Sequence, residues 1–279
     1  MNATACITGL FIYPIKSCAG IALTHAQLSA TGLASGQVQD RRWMLVNAQG
    51  RFVTQREQGR LALVTPALQG MGLKVTAPGM PMLEIAGVAR EQAVAVTVWN
   101  DQCQAFDEGD NVAQWFSGFL GQPVRLVRFD DAQPRISSRE WTGELQALNQ
   151  FSDGFPLLVI STASLDDLND RLSAPLPMSR FRPNLVVAGL PAYGEDQVHE
   201  FQAGATRLRV VKPCTRCKIT TIDQATGMSQ GFEPLNTLRS YRRNVALKGV
   251  TFGQNLVIAD GIGTQLQVGQ PLAVSWRPE

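Results

Sequence analysis

The sequence predicts a β-rich α+β protein, a barrel or sandwich with few helices rather than a doubly wound sheet. Two observations predict it. Strand-type patterning, alternating or short and continuously apolar, recurs from one end of the chain to the other, and only three segments carry helical spacing.

In chain order, "CITGLFIYPIKS" reads as an apolar strand stopped by Pro14. "RRWMLVNAQGRFVTQR" reads as a hairpin, with Trp43, Leu45 and Phe52, Thr54 alternating around an Asn-Ala-Gln-Gly turn. Val94, Val96 and Val98 mark a further strand. The spacing predicts a helix over 110–121, with Asp110 as N-cap, Val112, Trp115, Phe116 and Phe119 on one face, and Gly121 at its end. "GFPLLVIS" is a buried strand. It runs into a helix where Ser164 and Asp167 have capping-box spacing and Leu165, Leu168 and Leu172 share a face. "FRPNLVVAG", "ATRLRVVKPC" and "KITTID" read as strands, "PLNTLRSYRR" as a short helix, and "NLVIA" and "LAVSW" as closing strands. The pattern changes near residues 121–130, which divides the chain into domains at 1–122 and 123–279.

The composition narrows the function. The 279 residues are 44% hydrophobic and 17% charged, which fits an ordered globular chain with a substantial core. A net charge of +2, with no basic run interleaved with aromatics, argues against nucleic acid as a partner. No stretch is apolar enough to span a membrane. The N-terminus has no signal or transit composition. Five scattered cysteines do not make a disulfide framework, so a cytoplasmic location is expected.

The chemistry gathers at "VVKPCTRCKITTIDQATG", where Thr215 and Arg216 separate Cys214 from Cys217. A C-x-x-C alone is a weak signal. Zinc needs two more ligands, and Cys6, Cys18, Cys103, His25 and His199 offer no second pair at suitable spacing. A redox dithiol belongs between a strand and a helix, whereas strands are expected on both sides here. Plain packing of small hydrophobic thiols stays open. Arg216 favours the thiolate that a soft-metal bond requires. Lys16, Arg41 and Arg182 sit singly beside turn-makers, and such cations can converge on a phosphate or an anionic heterocycle. There is no phosphate-binding glycine loop and no hydrolase or zinc-protease motif, and two histidines are too few for a histidine-based site.

"YPIKSCAG", "DRRWMLV", "FVTQRE", "FRPNLVV", "CTRCKITTIDQATG", "LNTLRSYRR" and "FGQNL" occur in one order over essentially the whole chain. In this the sequence resembles the MOSC superfamily, in the branch that carries an N-terminal MOSC β-barrel domain and includes the mitochondrial amidoxime-reducing component and its bacterial relatives. The resemblance implies a MOSC β-barrel packed on an N-terminal β-barrel-like domain. It also implies a molybdenum cofactor, molybdopterin carrying one molybdenum, and chemistry independent of pyridoxal phosphate. Its metal ligand and catalytic thiolate falls on Cys217, with Cys214 left to packing or support. The cofactor contacts fall on Lys16, Ser17, Arg41, Asp153, Gly154, Arg182, Asn184, Thr215, Arg216 and Asn255. Asp153–Phe155 lacks the Thr-Ser hydroxyls of the animal enzymes, and Leu190 stands near the place of a second cysteine in them. The implied reaction is reduction of N-hydroxylated compounds (amidoximes, hydroxylamines, N-hydroxylated bases). With no cluster-type cysteine spacing, its electrons come from a separate ferredoxin- or cytochrome-type protein. The competing readings are a cofactor carrier or sulfur-transfer protein without turnover, and a β-rich domain with a structural cysteine pair.

Overall fold

The computed structural model describes residues 4–87 and 93–278. Seven strands close a barrel: β1 (Thr4–Ile12), β2 (Leu157–Ser161), β3 (Leu185–Ala188), β4 (Val198–Ala203), β5 (Thr206–Thr215), β6 (Gly249–Asp260) and β7 (Pro271–Trp276). They run in the order β2-β3-β1-β7-β4-β5-β6, and β6 pairs back onto β2. The β2–β3 pair is parallel and its crossover carries a helix; the other pairs of the ring are antiparallel. All five residues of β2 are buried, which its unbroken apolar run requires. Closure depends on Gly253, at φ 77°, where a Cβ would come within 2.8 Å of the Val159 carbonyl oxygen.

The two halves of the chain are threaded through each other. β1, from the N-terminus, lies between β3 and β7 of the C-terminal half. In return Gln265–Gln267 pairs with His25–Ser29 and extends a small sheet with Gly32–Ser35 and Val38–Gln39. A second sheet runs Ala93–Val98, Asp101–Asp107, Arg125–Phe129, Trp43–Val46, so residues just beyond 122 pair with the N-terminal half. A third holds Thr65–Gln69, Gly72–Thr76 and Leu83–Ile85. One apolar cluster joins these parts, with Leu10, Trp43, Phe116, Val159, Phe201 and Leu256 all buried in it. Burial of each such side chain contributes roughly 1.5–3 kcal/mol.

The helices are α1 (Asp110–Leu120), a single turn α2 (Arg139–Thr142), α3 (Thr162–Arg171) and α4 (Leu235–Tyr241). Three local expectations change. Gly109, not Asp110, is the N-cap of α1, and Asp110 pairs with Arg125 instead. Ser161, not Ser164, caps α3: its hydroxyl accepts the Ser164 N–H, and the Ser164 hydroxyl turns to Glu195. Lys218–Thr221 is a 3₁₀ turn and not a strand, because the Thr220 N–H and hydroxyl both bond back to the Cys217 carbonyl. The expected 43–54 hairpin keeps its turn, where Asn47 Oδ1 accepts from Gln49 and Arg51 N–H, but closes on a single Val46–Phe52 bridge.

Candidate functional site

The end of β1 turns at Pro14, which cannot donate to a ladder, and the chain leaves the barrel wall there. The Tyr13 N–H donates to Asp40 Oδ1 (2.8 Å), and the Lys16 N–H to the Trp43 carbonyl (2.8 Å), so two loops are tied side by side. Lys16 is buried. Its ammonium donates to the Phe151 carbonyl (2.8 Å) and pairs with the Asp153 carboxylate (2.5 Å). Burial pulls the ammonium below the ordinary lysine range, and Asp153 works against that shift.

Tyr13 lies between the arginines. The Arg41 and Arg182 guanidiniums each stand 4.3 Å from its ring centroid. Burial pushes the phenol up to about 12, with the two arginines opposing. Arg41 pairs with Asp40 (2.6 Å) and donates to Asn184 Oδ1 (3.2 Å). Asn184 also donates to the Phe11 carbonyl (3.1 Å) and accepts the Leu158 N–H (3.2 Å), fastening β1, β2 and the arginine loop together. Burial lowers Arg182 to about 10. Its Nη2 is buried with no partner, as is Nε of Arg216.

The thiols lie where β5 ends. Arg216 stands beside Cys217 in sequence, but its guanidinium reaches the other cysteine, donating to Cys214 Sγ (2.8 Å) and to the Phe181 carbonyl (2.6 Å). Cys217 opens the 3₁₀ turn, and its thiol has no hydrogen-bond partner among the described residues. All five cysteines are free. Among the described residues no group of three His, Cys, Asp or Glu side chains is assembled to hold a metal by itself.

These loops surround one cavity of about 730 Å³, and all eleven residues expected from sequence line it. Its wall holds seven cations (Lys16, Arg41, Arg56, Arg135, Arg182, Lys212, Arg216) and three carboxylates (Asp101, Glu140, Asp153). The whole chain nets only +2, so the positive charge is concentrated here. Of the six non-glycine residues with positive φ among the described residues, four line the cavity: Ser17, Arg41, Trp99 and Arg182. Each such conformation costs about 1–3 kcal/mol and is characteristic of ligand clamps.

The MOSC N-terminal beta barrel domain model matches residues 4–123, and the MOSC domain model matches residues 147–273. Mitochondrial amidoxime-reducing component 1 of Mus musculus is 38% identical over 277 residues, 95% of this chain and 81% of that protein. The Homo sapiens component 1 is 35% identical over 277 residues, with coverages of 95% and 82%. Component 2 of Rattus norvegicus is 36% identical over 279 residues, with the same coverages as the human protein. The chain belongs to the MOSC family.

This MOSC protein brings to its cavity several residues that sequence reasoning missed. Arg135 holds the 149–153 segment, donating to Asn149 Oδ1 (2.7 Å) and to the Gln150 and Ser152 carbonyls (3.0 and 2.6 Å). In sequence it is one arginine in an unpatterned loop. Trp99 offered a signal, a large aromatic at a hairpin turn: its Nε1 donates to Asp153 Oδ1 (3.1 Å). Arg56, Trp141 and Lys212 gave none.

Proposed function

We propose that the protein is a molybdenum-cofactor-dependent oxidoreductase that reduces N-hydroxylated compounds with electrons from a separate ferredoxin- or cytochrome-type protein. One observation carries the reading. Two buried guanidinium nitrogens without partners, Arg182 Nη2 and Arg216 Nε, sit in a strongly cationic wall beside two free thiols. That donor set fits a soft metal carried on a group with an anionic tail. Relatives named as amidoxime-reducing components, at 35–38% identity over most of the chain, support the same reading.

In this mechanism Cys217 supplies the metal's protein thiolate. Lys16, Arg41, Arg182 and Arg216 neutralise the cofactor's phosphate and ring, while Ser17, Asp153, Gly154, Asn184, Thr215 and Asn255 shape the cradle. When bound, the molybdenum cofactor supplies a two-electron change of oxidation state, which removal of the oxygen of an N–OH group as water requires, together with two protons. The fixed cations hold the cofactor without reorganising during turnover. A cytoplasmic location belongs to the same proposal; among the described residues no helix is long and apolar enough to cross a membrane.

The test is molybdenum and pterin analysis of protein made in a host that synthesises the cofactor, followed by turnover of an amidoxime with a chemical reductant. Near-stoichiometric metal with turnover is expected. Metal and pterin without turnover would identify a cofactor carrier, and zinc or no metal would leave a structural cysteine pair.

A further inference from the structure

The proposed cofactor contacts leave part of the cavity wall unused. Five of its seven cations are committed or buried: Lys16 to Phe151 and Asp153, Arg41 to Asp40, Arg135 to Asp101 and Asn149, Arg216 to Cys214 and Phe181, and Arg182 on Tyr13. Arg56 and Lys212 differ. Among the described residues neither side chain makes an ion pair or a hydrogen bond. Each is half-buried and laid over a tryptophan, Arg56 at 4.6 Å from the Trp99 ring and Lys212 at 4.8 Å from Trp141. Lys212 is also 6.0 Å from the Phe155 ring. An indole face holds a cation in place without neutralising it. The Asp153 carboxylate acts on Arg56 only through space, with no ion pair between them, so both charges stay open to an anion.

The short segment Asp153–Gly154–Phe155 relates the two. Asp153 accepts from Trp99, which carries Arg56, and Phe155 two residues on flanks Lys212. At Gly154 between them an added Cβ would meet nothing within 4 Å, so this stretch of wall is open. Trp99 is held at φ 55° and packs on Phe52 (centroids 5.1 Å apart), a strained platform retained at the cavity. Trp141 and Phe155 add flat apolar walls beside the lysine.

We infer that Arg56 and Lys212, which the proposed cofactor contacts do not use, form an anion subsite of the cavity, and that the preferred substrate is a planar N-hydroxylated compound carrying a phosphate group. The inference rests on the reductase reading for its N-hydroxyl group, but the subsite is read by binding. Molybdenum-loaded protein is titrated, by its tryptophan fluorescence, with N4-hydroxycytidine and with the 5′-monophosphate of that nucleoside. The monophosphate binds about tenfold tighter or more, as one charge-assisted contact supplies. R56Q and K212Q each shrink that ratio while molybdenum content stays at the wild-type level, and the KM ratio of the two compounds shrinks in parallel. Equal affinities in wild type, or a ratio that neither variant moves, would overturn the subsite. Loss of molybdenum from the variants would overturn it too, by assigning these cations to the cofactor. Tight phosphate-dependent binding without reduction would count against the reductase reading and leave the subsite standing.

Discussion

Arg216 donates through Nη1 to the Sγ of Cys214 at 2.8 Å, and through Nη2 it holds the Phe181 carbonyl at 2.6 Å. Of two thiols three residues apart, one is therefore engaged by the protein. Both thiols line the cavity, but Cys214 also packs against the apolar cluster of Leu158, Ile160 and Phe252, whereas the Cys217 thiol has no hydrogen-bond partner among the described residues. The arginine between them engages the cysteine two residues before it and not its immediate neighbour, which spacing alone does not reveal.

Cys217→Ala is accordingly expected to abolish molybdenum binding. Cys214→Ala keeps most of the metal and loses about 1 kcal/mol of stability with its hydrogen bond. Elemental analysis of both variants beside wild type decides. Loss of metal from Cys214→Ala alone would reverse the assignment of the two thiols.

Arg182 gives a second prediction. Burial holds it at about 10, below the ordinary arginine value, and the folded state is penalised wherever the guanidinium is protonated. The sign follows: that penalty is present at neutral pH and is relieved only as pH rises through about 10. An anion seated against the orphaned Nη2 relieves it at pH 7 instead. Cofactor-free wild type should gain thermal stability with added phosphate, and Arg182→Met should gain clearly less. Equal gains would mean that phosphate acts elsewhere.

The barrel was legible because its strands carry their own signals. Leu157–Ser161 is continuously apolar and fully buried, and Pro14 marks where β1 must leave the wall. The candidate site residues were legible through short motifs scattered along the chain, and those motifs line one cavity. Interleaving was not legible, since Thr4–Ile12 has the same pattern whether it pairs locally or with β3 and β7. The Lys218–Thr221 turn was missed for a similar reason: two threonines favour a strand by propensity, but the Thr220 hydroxyl closes a local bond to Cys217 that propensity does not weigh.

Glu195 predicts a pH dependence away from the cavity. It is fully buried, accepting the Ser161 N–H (3.2 Å) and the Ser164 hydroxyl (2.8 Å) at the start of α3, with no ion pair among the described residues. Burial raises its pKa, and the serine bonds oppose. A carboxyl raised in the folded state contributes most below its unfolded value, about 4.3, and loses that contribution as pH climbs through the folded value. Glu195→Gln keeps the shape, since Ser164 can turn its proton to Ser161 and accept from the amide. Between pH 5 and 8 the melting temperature of wild type should fall relative to this variant. Parallel curves would show that Glu195 does not titrate in that window.

The loop after Cys217 depends on one buried arginine and one glycine contact. Arg180, 1% exposed, donates to the Thr220 carbonyl (3.3 Å) and the Asp223 carboxylate (3.0 Å), and also to the Gln230 side chain. On the other side Gln55 and Gln224 exchange amide bonds (3.2 and 3.1 Å), and Gly59 lies so close to Gly227 that a Cβ would come within 2.3 Å of its carbonyl oxygen. The turn that carries Cys217 is thus clamped from both halves of the chain. Arg180→Met removes charged hydrogen bonds worth about 1.5–3 kcal/mol and leaves Asp223 without its cation. Gly59→Ala pushes the loop outward by backbone contact alone. Both variants should therefore retain the fold, become sensitive to proteolysis within 222–230, and release molybdenum faster on dilution, although neither residue touches the cavity. Unchanged release with increased proteolysis would show that the loop is held by Arg180 and Gly59 but does not set the position of Cys217.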